Sequence, residues 1–182
     1  MRGVCLSDLD QRLLLITLAD QLTDAADRLP LPDMIEPTAA LAEILEDEIR
    51  TVGGLLNNLA SESAFRIRAG SRQPLAPPAH IVQTTTALVM AADPVGAALR
   101  DLAAALSCLG RADDCRHRAA GPARERALSF VRDGLRWTIV HAHQRLIRAA
   151  STLRTTAEHR ALSPARQAAP LKGTQQAKRP SR

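Results

Sequence analysis

PARERALSFVRDGLRWTIVHAHQRLIRAASTLRTTAEHRA, residues 122–161, reads as one long helix around which the rest of the chain is organised. Pro122 suits the first turn of a helix, where its missing N–H costs nothing, and no further proline follows within the stretch. Leu128, Val131, Leu135, Thr138, Ile139, Ala142, Leu146, Ala149 and Leu153 recur at helical spacing. At about 100° per residue they occupy one arc of a long helix. Phe130 and Trp137, the latter the sole tryptophan, fall about 150° from the middle of that arc. Val140 and Ile147 lie on a flank beside them. The helix therefore carries a core face and a second, apolar outer face.

One amphipathic helix needs others to bury its core face, and the preceding sequence supplies three. Ser7 and the aspartates after it read as a helix start, with carboxylates where the helix dipole favours them. Leu9, Leu13 and Ile16 join Leu15, Leu18, Leu22, Ala25 and Leu29 in a broad apolar face, and Pro30 and Pro32 end the element. A second helix is expected from Pro37 to about Arg68. Its seam of Leu41, Leu45, Ile49, Val52, Leu56 and Leu59 is interrupted by Gly53-Gly54, a bend or a place of close backbone approach. The proline-rich residues 70–78 form a loop. In the third helix Ile81, Thr85, Leu88, Ala92, Val95, Leu99, Leu102, Leu106 and Leu109 hold four-three spacing through Asp93-Pro94. That unbroken phase predicts a kinked rod, not two helices. Gly110 closes it, and the polar residues 111–121 make the connection onward.

The fold class is all-α: an antiparallel bundle of about four long helices, the third kinked near Pro94, spanning residues 1–162. Residues 163–182, rich in proline and basic side chains with little to bury, are expected to form a disordered basic tail. Aromatics make up only 2% of the chain, so the core must be aliphatic, and few β-branched runs argue against sheet.

The net charge of +5 conceals an asymmetry. Residues 1–64 carry four Lys/Arg against twelve Asp/Glu; residues 65–182 carry twenty against seven. An antiparallel bundle brings such halves together, so mutual neutralisation is expected, within one chain or between two. A basic half can also attract phosphate. Arg126, Arg136, Arg148 and Arg154 are the candidate phosphate contacts, although arginines on several sides of one helix are unlike a dedicated groove reader. A helix-turn-helix spacing at Ala92, Gly96 and Leu102 is better explained by the seam, since the following helix offers few side chains that read bases.

Catalytic and metal signatures are missing. There is no phosphate-binding glycine loop, nucleophile elbow or paired-cysteine metal motif. His141 and His143, two apart on a helix, diverge by about 160°. Cys5, Cys108 and Cys115 are an odd number without a disulfide framework. No secretory leader is apparent, and the apolar residues 84–99 are too short and interrupted to cross a bilayer. The expectation is a cytoplasmic, non-enzymatic protein with no cofactor, metal or small-molecule substrate, and no membrane partner. It acts by protein–protein interaction, with itself or as an adaptor, through Phe130, Trp137, Val140 and Ile147. Non-specific nucleic-acid binding through the last helix and tail is the alternative.

Overall fold

The computed structural model describes residues 8–72, 77–117 and 119–162. The expected N-cap Ser7, Cys5 and the basic tail 163–182 lie outside the described residues. The bundle is as expected: α1 spans Asp8–Asp27, α2 Ala39–Ser71, α3 Ala79–Arg116 and α4 Pro122–Leu162. A single 3-10 turn, Pro32–Met34, sits between α1 and α2, and no strand occurs among the described residues.

Contacts between ends fix the antiparallel order. At one end Arg160, near the close of α4, donates to Asp8 at the start of α1 and to Thr84 at the start of α3. At the other end Arg116, the last residue of α3, donates to the carbonyl of Pro37, just before α2. The helices are not equivalent neighbours: α3 packs on α4 most extensively, α1 lies against α4, α2 lies against α3, and α1 scarcely touches α2. Lengths explain part of this. The 20 residues of α1 extend about 30 Å and the 41 of α4 about 61 Å, so α1 covers only half of α4. Prolines at 30 and 32 stop α1 there. The linker closes the remaining core itself, with Ile35 fully buried.

Three boundaries differ from expectation. The second helix starts not at Pro37 but after Thr38, whose hydroxyl accepts from the Leu41 N–H at 3.2 Å and so satisfies one free donor of the first turn. It also runs to Ser71, three residues beyond the expected end. The third helix does not end at Gly110 but continues to Arg116, because Ala112 and Cys115 carry its buried face onward. Pro94 lies inside this helix without breaking it. The carbonyl that loses its donor belongs to Met90, on an exposed side of the helix.

The core of α3 is also built from smaller residues than its leucines imply. Ala91, Ala98, Ala105 and Ala112, seven apart, are fully buried, whereas Leu99, Leu106 and Leu109 pack at the margin. Cβ atoms this small let α3 approach α4 closely, and α4 answers with Ala142, Ala149 and Ala150, also fully buried. On α2, Leu41, Leu45, Val52 and Leu59 are buried as expected, while Leu55 takes the place given to Leu56. Gly53 and Gly54 mark no close approach: a Cβ built on either meets nothing within 4 Å.

Candidate interaction surface

α4 presents the two faces read from its spacing. Val131, Leu135, Ile139, Ala142, Leu146, Ala149 and Leu153 are buried, and Leu128 packs against them. Thr138 completes the arc, its hydroxyl donating to the Leu135 and Gly134 carbonyls one turn back. On the opposite side Phe130 is 75% exposed, Trp137 58% and Ile147 37%. Among the described residues no earlier element covers the aromatic face.

Trp137 is held in place by its own helix. The His141 ring stacks on the indole with centroids 3.9 Å apart and planes 29° from parallel. Its Nδ1 lies 2.8 Å from the Trp137 carbonyl oxygen. A carbonyl can only accept, so Nδ1 carries a proton and the ring is fixed on both counts. The indole is thus pre-ordered before any partner arrives, which lowers the conformational entropy lost on binding.

Val140 does not share the aromatic stripe. It turns toward α1 and lines an apolar groove of about 270 Å³ with Ala26, Leu29, Leu31, Pro32 and Ile139. His143 lines the same groove, so the two histidines point to different neighbours, as their spacing requires. Ile147 lies seven residues, about two turns, further along the Val140 flank. The four residues therefore form two adjoining strips, Phe130–Trp137 facing outward and Val140–Ile147 edging α1.

The arginines divide in the same manner. Arg154 donates to Asp20 at 2.9 Å and to the Thr23 hydroxyl at 3.0 Å, tying α4 to α1. Arg145 faces Asp101 of α3 at 3.2 Å, and Arg160 is buried against Asp8. Arg126, Arg136 and Arg148 are exposed, with no carboxylate within ion-pair distance among the described residues. The phosphate candidates are thus not equivalent, since one of the four is engaged within the chain. The acidic and basic parts do meet inside one chain, chiefly between α1 and α4.

A polar cleft of about 370 Å³ lies where α1 and α2 diverge, lined by Gln21, Asp24, Arg28, Arg50, Thr51 and Asn58. Its base is fixed by Arg28, which grips the buried Glu48 through both Nε and Nη2. The hydrogen bond to Glu48 raises the Arg28 pKa above its ordinary value. The helix-turn-helix spacing around Pro94 corresponds to no turn, because α3 is continuous there. Among the described residues no group of three or more His, Cys, Asp or Glu could hold a metal ion, and no helix is long and apolar enough to cross a membrane.

One exposed feature was not read from the sequence. Leu9, Leu13 and Ile16 are 60%, 52% and 38% exposed, where the sequence was expected to place them in one broad apolar face of α1. The signal was available in their angle: they centre about 145° from the middle of the buried set Gln11, Leu15, Leu18, Ala19, Leu22, Ala25 and Ala26. No protein-family model matches the chain, and no curated protein or solved structure is significantly similar to it.

Proposed function

We propose that this chain is a non-enzymatic association module whose outer α4 surface, Phe130 and Trp137 with Val140 and Ile147 alongside, binds protein, in the first instance a second copy of itself. The observation that carries the reading is an ordered indole and a phenyl ring, seven residues apart, in solvent on one helix face. Single exposed aliphatics are ordinary on protein surfaces, whereas exposed Trp and Phe flanked by Arg match the composition of interface centres. A symmetric pair needs only one surface per chain, which makes self-association the economical form of the reading. It also assigns the protein to the cytoplasm, where a reducing environment suits Cys108 and Cys115, both free and buried.

The exposed 58% of Trp137 amounts to about 140 Å², worth about 3 kcal/mol if fully covered. Light scattering across a concentration series should show association, and Trp137→Ala, which removes a ring from each copy, should weaken it about 100-fold or more. A wild-type chain that stays monomeric at every concentration would overturn self-association.

A further inference from the structure

We propose that Phe130 and Trp137 dock on the outer stripe of α1, Leu9, Leu13 and Ile16, of a second copy of this chain. The proposal rests on the self-association read above and names the surface that receives the aromatic face.

Charge decides against the simplest arrangement, α4 on α4. The α4 segment carries eight Arg against three Asp/Glu, and Arg126, Arg136 and Arg148 have no carboxylate within ion-pair distance among the described residues. Stacking two such faces would set arginine against arginine around the aromatic rings, and like charges across an interface cost affinity and slow encounter. The α1 segment carries five Asp against one Arg. Its exposed apolar stripe is therefore the complement of the α4 face in both respects: aliphatic where α4 is aromatic, acidic where α4 is basic.

The two stripes also match in length. Leu9 to Ile16 and Phe130 to Trp137 are both seven residues apart, a rise of about 10.5 Å. Laid antiparallel, Phe130 meets Ile16 and Trp137 meets Leu9, with Leu13 between the rings. Arg126, four residues before Phe130, then comes opposite Asp20, four residues after Ile16. Asp20 gives Oδ1 to Arg154 of its own chain and is more than half exposed, so it has room for a second arginine. Each copy carries both stripes, so two reciprocal contacts close a pair and a single contact leaves an open series.

Three measurements separate this proposal from the reading beneath it. Sedimentation of the wild-type chain should show concentration-dependent association; its absence overturns both. Leu13→Lys/Ile16→Lys changes two exposed side chains, so the circular dichroism and melting of the bundle should be unchanged while association weakens about tenfold or more. Undiminished association in that variant, together with loss in Trp137→Ala, overturns the α1 contact and leaves self-association standing. Finally, Ile16→Cys and Phe130→Cys chains, both with Cys5→Ser, are mixed and treated with a short bis-maleimide. The expected product is the mixed dimer; a Phe130→Cys homodimer in its place shows α4 on α4 and overturns the proposal.

Discussion

Replacing Gly53, Gly54 and Gly110 with alanine should stabilise this protein. All three lie inside helices, Gly53 and Gly54 in α2 and Gly110 in α3. None has a backbone angle in the left-handed region, and an added Cβ meets nothing within 4 Å at any of them. The gain then comes from the helix itself, because glycine has more conformational freedom to lose on folding than alanine. Each replacement is worth about 1 kcal/mol in a helix interior. Gly110 is remote from the other two, and Cβ atoms at the adjacent Gly53 and Gly54 would point to different sides of α2, so the effects should add to about 3 kcal/mol. At about 2–4 °C per kcal/mol for a chain of this size, the triple variant should melt about 6–12 °C higher. Urea titration followed by helical circular dichroism measures it, and the midpoint should move without a change in slope. Gly110→Ala is the informative member. A glycine ending a helix takes a left-handed conformation in which alanine is strained. Destabilisation by that single change would therefore refute a continuous α3.

Close packing of α3 on α4 predicts that Ala105→Leu, at a fully buried position, destabilises by about 2–3 kcal/mol or more in the same titration. Little effect would mean that the alanine row does not set the helix spacing. Arg28→Met leaves the buried Glu48 carboxylate without its cation and should cost about 2 kcal/mol, discounted because Arg28 is half exposed. Adding Glu48→Leu should recover most of that loss, since it removes the stranded charge as well. The phosphate reading of α4 makes a separable claim. Contacts from Arg126, Arg136 and Arg148 would lower affinity for duplex DNA roughly 40-fold between about 50 and 200 mM salt. Deleting residues 164–182 should weaken such binding further and leave a bundle-mediated dimer intact; no binding at low salt removes the phosphate reading.

Large aliphatic periodicity was enough to read four helices, their antiparallel order and both faces of α4. It misplaced what depends on small or polar side chains. The alanine row of α3 was overshadowed by leucines one position away, because periodicity weighs size while close approach rewards its absence. Gly110 and the polar residues after it resemble a helix end, yet Ala112 and Cys115 bury enough surface to carry α3 onward. Thr38 set the start of α2 through one hydrogen bond that a neighbouring proline disguised. The aromatic strip was legible because Phe130 and Trp137 sit so far from the core arc. Whether a second element covered them depended on α1 being short, which Pro30 and Pro32 encode. The Leu9–Leu13–Ile16 stripe was misassigned because α1 has leucines on two sides, and merging them into one broad face overlooked the angle between them.

With a single tryptophan in the chain, its fluorescence reports on the proposed surface directly. Emission and scattered-light mass should be followed together over a dilution series. Self-association through this face requires a dilute monomer with red-shifted, readily quenched emission, moving to the blue and becoming protected from quencher as the mass rises. Emission and mass that stay constant on concentration, or a monomer whose Trp137 emission is already blue-shifted and protected, would contradict it.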